Sequence, residues 1–396
     1  MALDVAAVQA ALLAEGLDGW LLYDFHGSNP IAARLAVPSS NGAPRHMATR
    51  RWFYFIPAHG EARGLVHAIE RFQLDALPGP KTVYAGRDQM ADGLRGLLTG
   101  ARRVAMEYSP CAAIPYVSRV DAGTIELVRG FGVEVASSGD LVQRFEAVWD
   151  DRAIASHRAA SERLYRIKDR TFETIADRLA QGHRPTEYEI QQRMVAWFAE
   201  EGLVSDSPPN VSVGANAGNP HYLPGPEGSR PIDRDALVLL DLWGKLAEPD
   251  AVYADITWVG FTGAHPPAAQ ERAFGAAAAA RDAALAVVQE AARAGQTVHG
   301  WEADRAARAV LQEAGYADRI LHRTGHSLGT EVHGNGANLD DYETHDDRRI
   351  IVGTGFTIEP GLYFDDFGVR TEINVVMGGR DATVTGPRQM AIIALG

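Results

Sequence analysis

The sequence predicts an α/β domain followed by a pseudo-symmetric α+β domain. Three observations carry that expectation. The chain opens with apolar residues at helical spacing that pass directly into a short strand pattern. Its texture changes at Val148-Trp149-Asp150-Asp151, where a long mixed-charge helical pattern begins. Beyond that point one order of elements, two helices and then strands, occurs twice. The boundary is therefore placed to give domains 1–150 and 151–396.

From Val5 to Leu13 the apolar spacing is helical, and Trp20-Leu21-Leu22-Tyr23 reads as a strand. The stretch Pro38 to Arg51, rich in Pro, Ser, Asn, Gly and Arg, reads as a loop before a strand from Trp52 to Ile56. Further alternating pieces run to about Phe145. In the second domain, helices are expected over about 153–180 and 187–201, the latter opened by the capping box Thr186-x-x-Glu189. Strands follow near 210–214, 236–243 and 252–261. The order then recurs, with helices over about 267–293 and 298–314 and strand-like segments near 320–333, 355–360 and 369–377. Two such blocks around one core suggest strands facing a shared cleft. His299 and Trp301, near a helix start, are read as packing residues. Gly353-Thr-Gly355 is read as a turn, because the third glycine of a dinucleotide fingerprint is missing.

Composition narrows the function classes. With 46% hydrophobic and 22% charged residues, the 396-residue chain has ample material for packed cores. A net charge of −13 opposes nucleic acid and anionic membrane as partners. Cys111 is the single cysteine, so neither an internal disulfide nor a cysteine-based zinc or iron–sulfur site is available. No run approaches the length of an apolar span, and the opening lacks a basic leader. The expectation is a soluble cytoplasmic protein.

The chemistry is announced by acids inside apolar strands. Asp241 follows Ala236-Leu-Val-Leu-Leu240, Asp255 lies within Tyr253 to Val259, Glu359 follows Phe356-Thr-Ile, and Glu372 interrupts Val369 to Val376. An unpaired buried carboxylate costs several kcal/mol or more, so four of them ask for one common partner. A pair of divalent cations is that partner, since carboxylate oxygens suit hard metals and can bridge two ions. An imidazole would complete the shell. His326, in His322-Arg-Thr-Gly325-His326-Ser-Leu-Gly329-Thr-Glu-Val-His333, is the candidate, because the flanking glycines let the backbone turn tightly.

Together, Asp241, Asp255, Gly325-His326-Ser-Leu-Gly-Thr-Glu-Val-His333, Thr357-Ile-Glu359-Pro-Gly-Leu-Tyr and Val369-Arg370-Thr-Glu372 resemble the dinuclear metallopeptidases of the pita-bread fold. Within these, the chain is most similar to the Xaa-Pro dipeptidases (prolidases) and Xaa-Pro aminopeptidases. The resemblance covers the whole chain and implies an N-terminal α/β domain before a pita-bread catalytic domain. It implies that Asp241 chelates one metal, that Asp255 and Glu372 bridge both, and that His326 and Glu359 bind the second. The segment Asn210 to His221-Tyr222 resembles the loop that brings a histidine over the substrate, and His333 resembles a second histidine that is not a ligand. Glu359 is the expected general acid/base, with His221 and His333 donating to the oxyanion and the leaving nitrogen. Tyr222 and Arg370 are expected to touch substrate, with neutralisation of the ligand carboxylates an equal alternative for Arg370; Arg370 and Glu372, two apart on a strand, would share a face. Two divalent ions are expected, manganese first, with Co, Zn or Fe also accepted by such a shell. A homodimer is implied by the resemblance alone.

The substrate expected is a proline-containing dipeptide, with longer peptides cut from the N-terminus as the alternative. A dipeptidase must bind the carboxylate after proline, and Arg370 or the loop Arg45 to Arg51 offers a guanidinium for it. That loop is also a candidate for entering a neighbouring subunit's cleft. Asp241 and Asp255 are 14 positions apart, so Trp243 to Ala251 reads as an enlarged hairpin loop that narrows the cleft. His333 is followed by Gly334, where the family commonly has an acid. Two rivals of other classes were weighed. Gly325-His-Ser327-Leu-Gly329 matches a serine-hydrolase nucleophile elbow, although the strand before and helix after are missing from the pattern. A metal-free binding protein on the same fold, or a creatinase-like enzyme, would leave the five acid and histidine positions unexplained.

Overall fold

The computed structural model describes residues 3–36 and 48–396, so most of the loop from Pro38 to Arg51, including Arg45, lies outside the described residues. Arg50 and Arg51 are described and exposed. The chain divides into two compact units, Met1–Phe145 and Glu146–Gly396.

The first unit contains α1 (Val5–Ala14), β1 (Gly19–Asp24), α2 (Pro30–Ala36), β2 (Trp52–Pro57), β3 (Arg63–His67), β4 (Lys81–Tyr84), α3 (Arg87–Leu97), β5 (Arg103–Met106), α4 (Ala122–Arg129), β6 (Glu134–Ser137) and α5 (Gly139–Val142). Its strands form one sheet in the order β4-β3-β2-β1-β5-β6. β1 is buried at every position because both faces are covered. Trp20, Leu22, Trp52, Tyr54 and Ile56 pack with α1 and α2, while Leu21, Tyr23, Phe53 and Phe55 pack with α3 and α4.

The second unit has two halves. The first holds α6 (Asp151–Ala180), α7 (Glu187–Glu200), β7 (Leu203–Val204), β8 (Asn210–Val213), β9 (Leu237–Leu246) and β10 (Ala254–Phe261). The second holds α8 (Ala268–Ala294), α9 (Gly300–Glu313), β11 (Ser327–Leu328), β12 (Gly355–Ile358), β13 (Gly361–Tyr363), β14 (Gly368–Arg370), β15 (Ile373–Met377), β16 (Ala382–Val384) and β17 (Ile393–Ala394). Each half has its own apolar core, built by α6 and α7 against β8, β9 and β10 in one, and by α8 and α9 against β12 and β15 in the other. The capping box at Thr186 is formed in both directions, fixing the start of α7.

Three expectations change. Trp243 to Leu246 is strand, not loop: Trp243 pairs with Asp255 and Gly244 with Ala254, which leaves only 247–253 to connect β9 and β10. The segment 320–333 is largely loop, with strand only at Ser327–Leu328. Residues 369–377 split into β14 and β15, because β14 pairs with β13 while β15 pairs with β12. The chain changes sheet at Thr371-Glu372, so strand alternation cannot relate Arg370 to Glu372. Among the described residues, no helix is long and apolar enough to cross a membrane.

Candidate metal centre

The centre begins with one face of the β9–β10 ladder. Asp241 pairs with Thr257 and Trp243 with Asp255, so all four side chains share a face. The opposite face carries Leu240, Leu242, Ile256 and Trp258 into the core of the first half. Burying that apolar row is what forces two carboxylates toward the interior of the molecule. Asp255 is 6% exposed, and Glu372, brought in at the sheet change, is 1% exposed.

The second half adds His326 and Glu359. Gly325 is required where it stands: a Cβ there would lie 2.1 Å from the Thr357 carbonyl oxygen. This close approach lets the His326 N–H donate to Thr357 Oγ1 at 2.9 Å, while Thr357 Oγ1 donates to Glu359 Oε1 at 3.0 Å. His326 Nε2 then lies 3.2 Å from Glu359 Oε1 and 3.6 Å from Asp255 Oδ2. Asp255, His326 and Glu372 each offer a ligand atom, and these atoms all lie within 4.8 Å of one another.

Two further residues tie the halves together. Thr257 Oγ1 donates to Glu372 Oε2 at 2.8 Å, and the buried Arg370 donates from Nε to Thr257 Oγ1 at 3.0 Å. Arg370 also donates from Nη1 to the Tyr363 hydroxyl at 2.9 Å and from Nη2 to Asp241 Oδ2. Its Nε is 3.8 Å from Glu359 Oε2. The His322 Nδ1 lies 2.6 Å from its neighbour's carbonyl, a contact that fixes the donor there, so Nε2 accepts from the Tyr363 hydroxyl at 2.6 Å. Arg370 therefore spends each guanidinium nitrogen inside the chain.

Burial pushes the Asp241 carboxyl up to about 7, with Arg370 pulling the other way. Asp255 and Glu372 are raised well above the ordinary carboxylate range, by burial first and by their acidic neighbours second. Glu359 goes the other way: burial opposes its charge, but His326, His322 and Arg370 outweigh burial and hold it low. Burial lowers His326, and the charge of His326 followed by burial lowers His333 to about 3. Among the described residues, Asp255 Oδ1 and Glu372 Oε1 are buried without a hydrogen-bond partner. Buried carboxylate oxygens left open in this way, facing one imidazole, fit a divalent cation.

The other expected residues are placed as follows. The His333 ring meets the His326 ring edge-on, with centroids 4.3 Å apart. His221 is exposed, and its main-chain N–H donates to Asn219 Oδ1. Tyr222 donates its hydroxyl to Glu187 Oε2 at 2.6 Å, and the same buried carboxylate accepts from Val213 N, Asn216 Nδ2 and Arg230 N. Ser327 is 1% exposed and its Oγ accepts from Gly336 N at 2.9 Å. A short strand rather than a helix starts at Ser327, so the nucleophile elbow is not formed. Thr257 and Tyr363 were not singled out from the sequence. Thr257 shared a strand face with Asp255, a signal that was readable; Tyr363 declares itself only through Arg370 and His322.

Comparison with known proteins bears on the same residues. The model of metallopeptidase family M24 matches residues 157–378, which contain the whole acid and histidine set. A putative dipeptidase, YkvY, of Bacillus subtilis is 26% identical over 66% of this chain and 67% of its own length. The Xaa-Pro dipeptidase of Lactobacillus delbrueckii is 33% identical over 41% of this chain, and the match spans 40% of that relative. Among solved structures, the dipeptidase PepE from Mycobacterium ulcerans superposes with a TM-score of 0.71 at 22% identity, covering 99% of this chain and 96% of the other. The X-Pro aminopeptidase from Thermotoga maritima gives 0.60 at 20% identity, covering 99% of each chain. These likenesses establish the pita-bread fold across the full length. With the family match spanning more than half of the sequence and enclosing the buried cluster, the chain belongs to metallopeptidase family M24.

Proposed function

We propose that this metallopeptidase hydrolyses Xaa-Pro dipeptides in the cytoplasm, as a homodimer loaded with two divalent ions, manganese first among them. The observation that carries the reading is the pair of buried, partnerless oxygens, Asp255 Oδ1 and Glu372 Oε1, beside His326 and Glu359. Asp241 would hold one cation, Asp255 and Glu372 both, and His326 with Glu359 the other. Cations held there would supply Lewis acidity for the scissile carbonyl and a lowered pKa for water, so that hydroxide is available near neutral pH. Glu359, held low in pKa and with the Arg370 guanidinium beside it, takes the proton from the attacking water and passes it toward the leaving nitrogen. His333, against the His326 ring, and His221, on the exposed turn, donate to the carbonyl oxygen and the leaving nitrogen. Tyr222, through Glu187, holds the turn that carries His221. Arg370 is a positioning residue, orienting Asp241 and Thr257.

The preference for proline and for a dipeptide is supported by the likeness to the Xaa-Pro dipeptidase of Lactobacillus delbrueckii. Mass-spectrometric assay of Ala-Pro, Leu-Pro, Ala-Ala and Ala-Pro-Ala, each with Mn, Co, Zn or Fe added, tests it. Higher kcat/KM for the two proline dipeptides is expected. Faster cleavage of Ala-Pro-Ala turns the assignment to an Xaa-Pro aminopeptidase, and faster cleavage of Ala-Ala removes the proline requirement.

A further inference from the structure

We infer that Asp206 and Trp243 form the subsite for the side chain of the substrate's first residue, and that they select a cationic one, arginine or lysine. The inference rests on the peptidase reading above, which places the scissile carbonyl at Asp255, His326 and Glu372.

Along the site face of β9, the side chains that follow Asp241 are Trp243 and Lys245, while Leu242, Gly244 and Leu246 are buried on the other face. Trp243 stands directly across from Asp255 and is half-buried, packed in part against the apolar cluster of Tyr253 and Leu328. Its indole N–H donates to Asp206 Oδ1 at 2.8 Å, which fixes the direction of that carboxylate. Asp206 is exposed, and among the described residues its Oδ2 takes no hydrogen bond.

Lys245 does not satisfy Asp206. Its ammonium donates to the Thr330 carbonyl at 2.7 Å and lies 5.1 Å over the Tyr253 ring. Burial lowers the Lys245 ammonium, and Glu331, Asp250 and Asp206 all act on it in the opposite sense. The charge of Asp206 also reaches Asp255 and His333, which puts it within electrostatic range of the chemistry.

Reach decides which cation of a substrate is read. The α-ammonium is bonded to the carbon next to the scissile carbonyl, so it must stay beside the metal ligands. Asp206 follows β7, which pairs with β9 at Lys245 and Leu246, whereas Asp255 stands on β10, so Asp206 is set farther from the centre than Trp243 is. An arginine or lysine side chain spans that gap, laying its stem on the Trp243 ring and its charged head on Asp206.

The test is isothermal titration of the metal-loaded full chain with uncleavable reduced-bond analogues of Arg-Pro, Met-Pro and Glu-Pro. The arginine analogue is expected to bind about tenfold more tightly than the methionine one, with the glutamate analogue weakest. Added salt should shrink that ratio. In Asp206→Asn, which keeps an oxygen for the indole, the Arg/Met ratio should fall to about one, and Asp206→Lys should favour the glutamate analogue. A wild-type ratio near one, a ratio unmoved in Asp206→Asn, or tightest binding of the glutamate analogue overturns the inference. Turnover of Met-Pro itself reports separately on the peptidase reading: selective binding without that turnover sinks the reading and leaves the subsite standing.

Discussion

As pH rises above about 6.5, the ordinary histidine value, the metal-free protein should lose more stability than the metal-loaded chain does. Asp241, Asp255 and Glu372 have raised native pKa values, so the native chain retains protons that the unfolded chain, titrating near 3.8 and 4.5, has already released. With more protons bound in the native state, unfolding free energy falls with pH by about 1.4 kcal/mol per unit for each retained proton. Below 6.5 the lowered histidines His157, His322, His326 and His333 act in the opposite sense, since the unfolded chain then binds their protons. Above 6.5 they are neutral in both states and the carboxyls act alone. One net retained proton between about pH 6.5 and about pH 8 amounts to about 2 kcal/mol, a sizeable share of a typical total stability. Glu107, buried in the first unit and pushed up to about 7, contributes equally with and without metal, so it cancels in the difference. Urea midpoints at the two pH values, for chelator-treated and manganese-loaded protein, measure the effect. A metal-free chain that loses no more stability between the two pH values than the manganese-loaded one would refute the claim that these carboxyls are buried without compensation.

Arg370→Met should cost about 3–5 kcal/mol, because it strands Asp241 and opens the Thr257 and Tyr363 hydrogen bonds; an unchanged urea midpoint would contradict the positioning role. Gly325→Ala should weaken metal binding by about 10–100-fold, since its Cβ would collide with the carbonyl of Thr357, whose hydroxyl seats His326; calorimetric titration with manganese reads this, and unchanged affinity removes the argument. Ser327→Ala should keep activity within a few-fold while losing about 1 kcal/mol from the Gly336 hydrogen bond; labelling of Ser327 by a fluorophosphonate would instead restore the serine-hydrolase reading.

Much of this site was readable because its signal is a local contradiction. Asp241, Asp255 and Glu372 break apolar strands, and nothing short of a cation or an arginine resolves them. The long helices were readable from periodicity and from the Thr186 capping box, which act within a few residues. What escaped depends on pairing across the chain. Trp243-Gly-Lys-Leu resembles a loop by composition, yet its alternation of Trp243 and Lys245 with buried Gly244 and Leu246 becomes visible once β10 is laid beside it. The sheet change at Thr371-Glu372 follows from β14 and β15 choosing different partners, which no local pattern encodes. For Arg370 the sequence leaves substrate contact and neutralisation of the ligand carboxylates both open, and the choice between them follows from Asp241 and Tyr363, 129 and 7 positions away.

The account stands on one claim, that Asp241, Asp255, His326, Glu359 and Glu372 hold two divalent ions that hydrolysis requires. Manganese content per chain, measured by mass spectrometry after dialysis and followed alongside Ala-Pro turnover, tests it most directly. Two equivalents are predicted in the wild-type chain. In Asp255→Asn and Glu372→Gln both equivalents should be lost, with turnover reduced by more than about a hundredfold. Full turnover in either variant after chelator treatment, or two ions retained without those carboxylates, would contradict it.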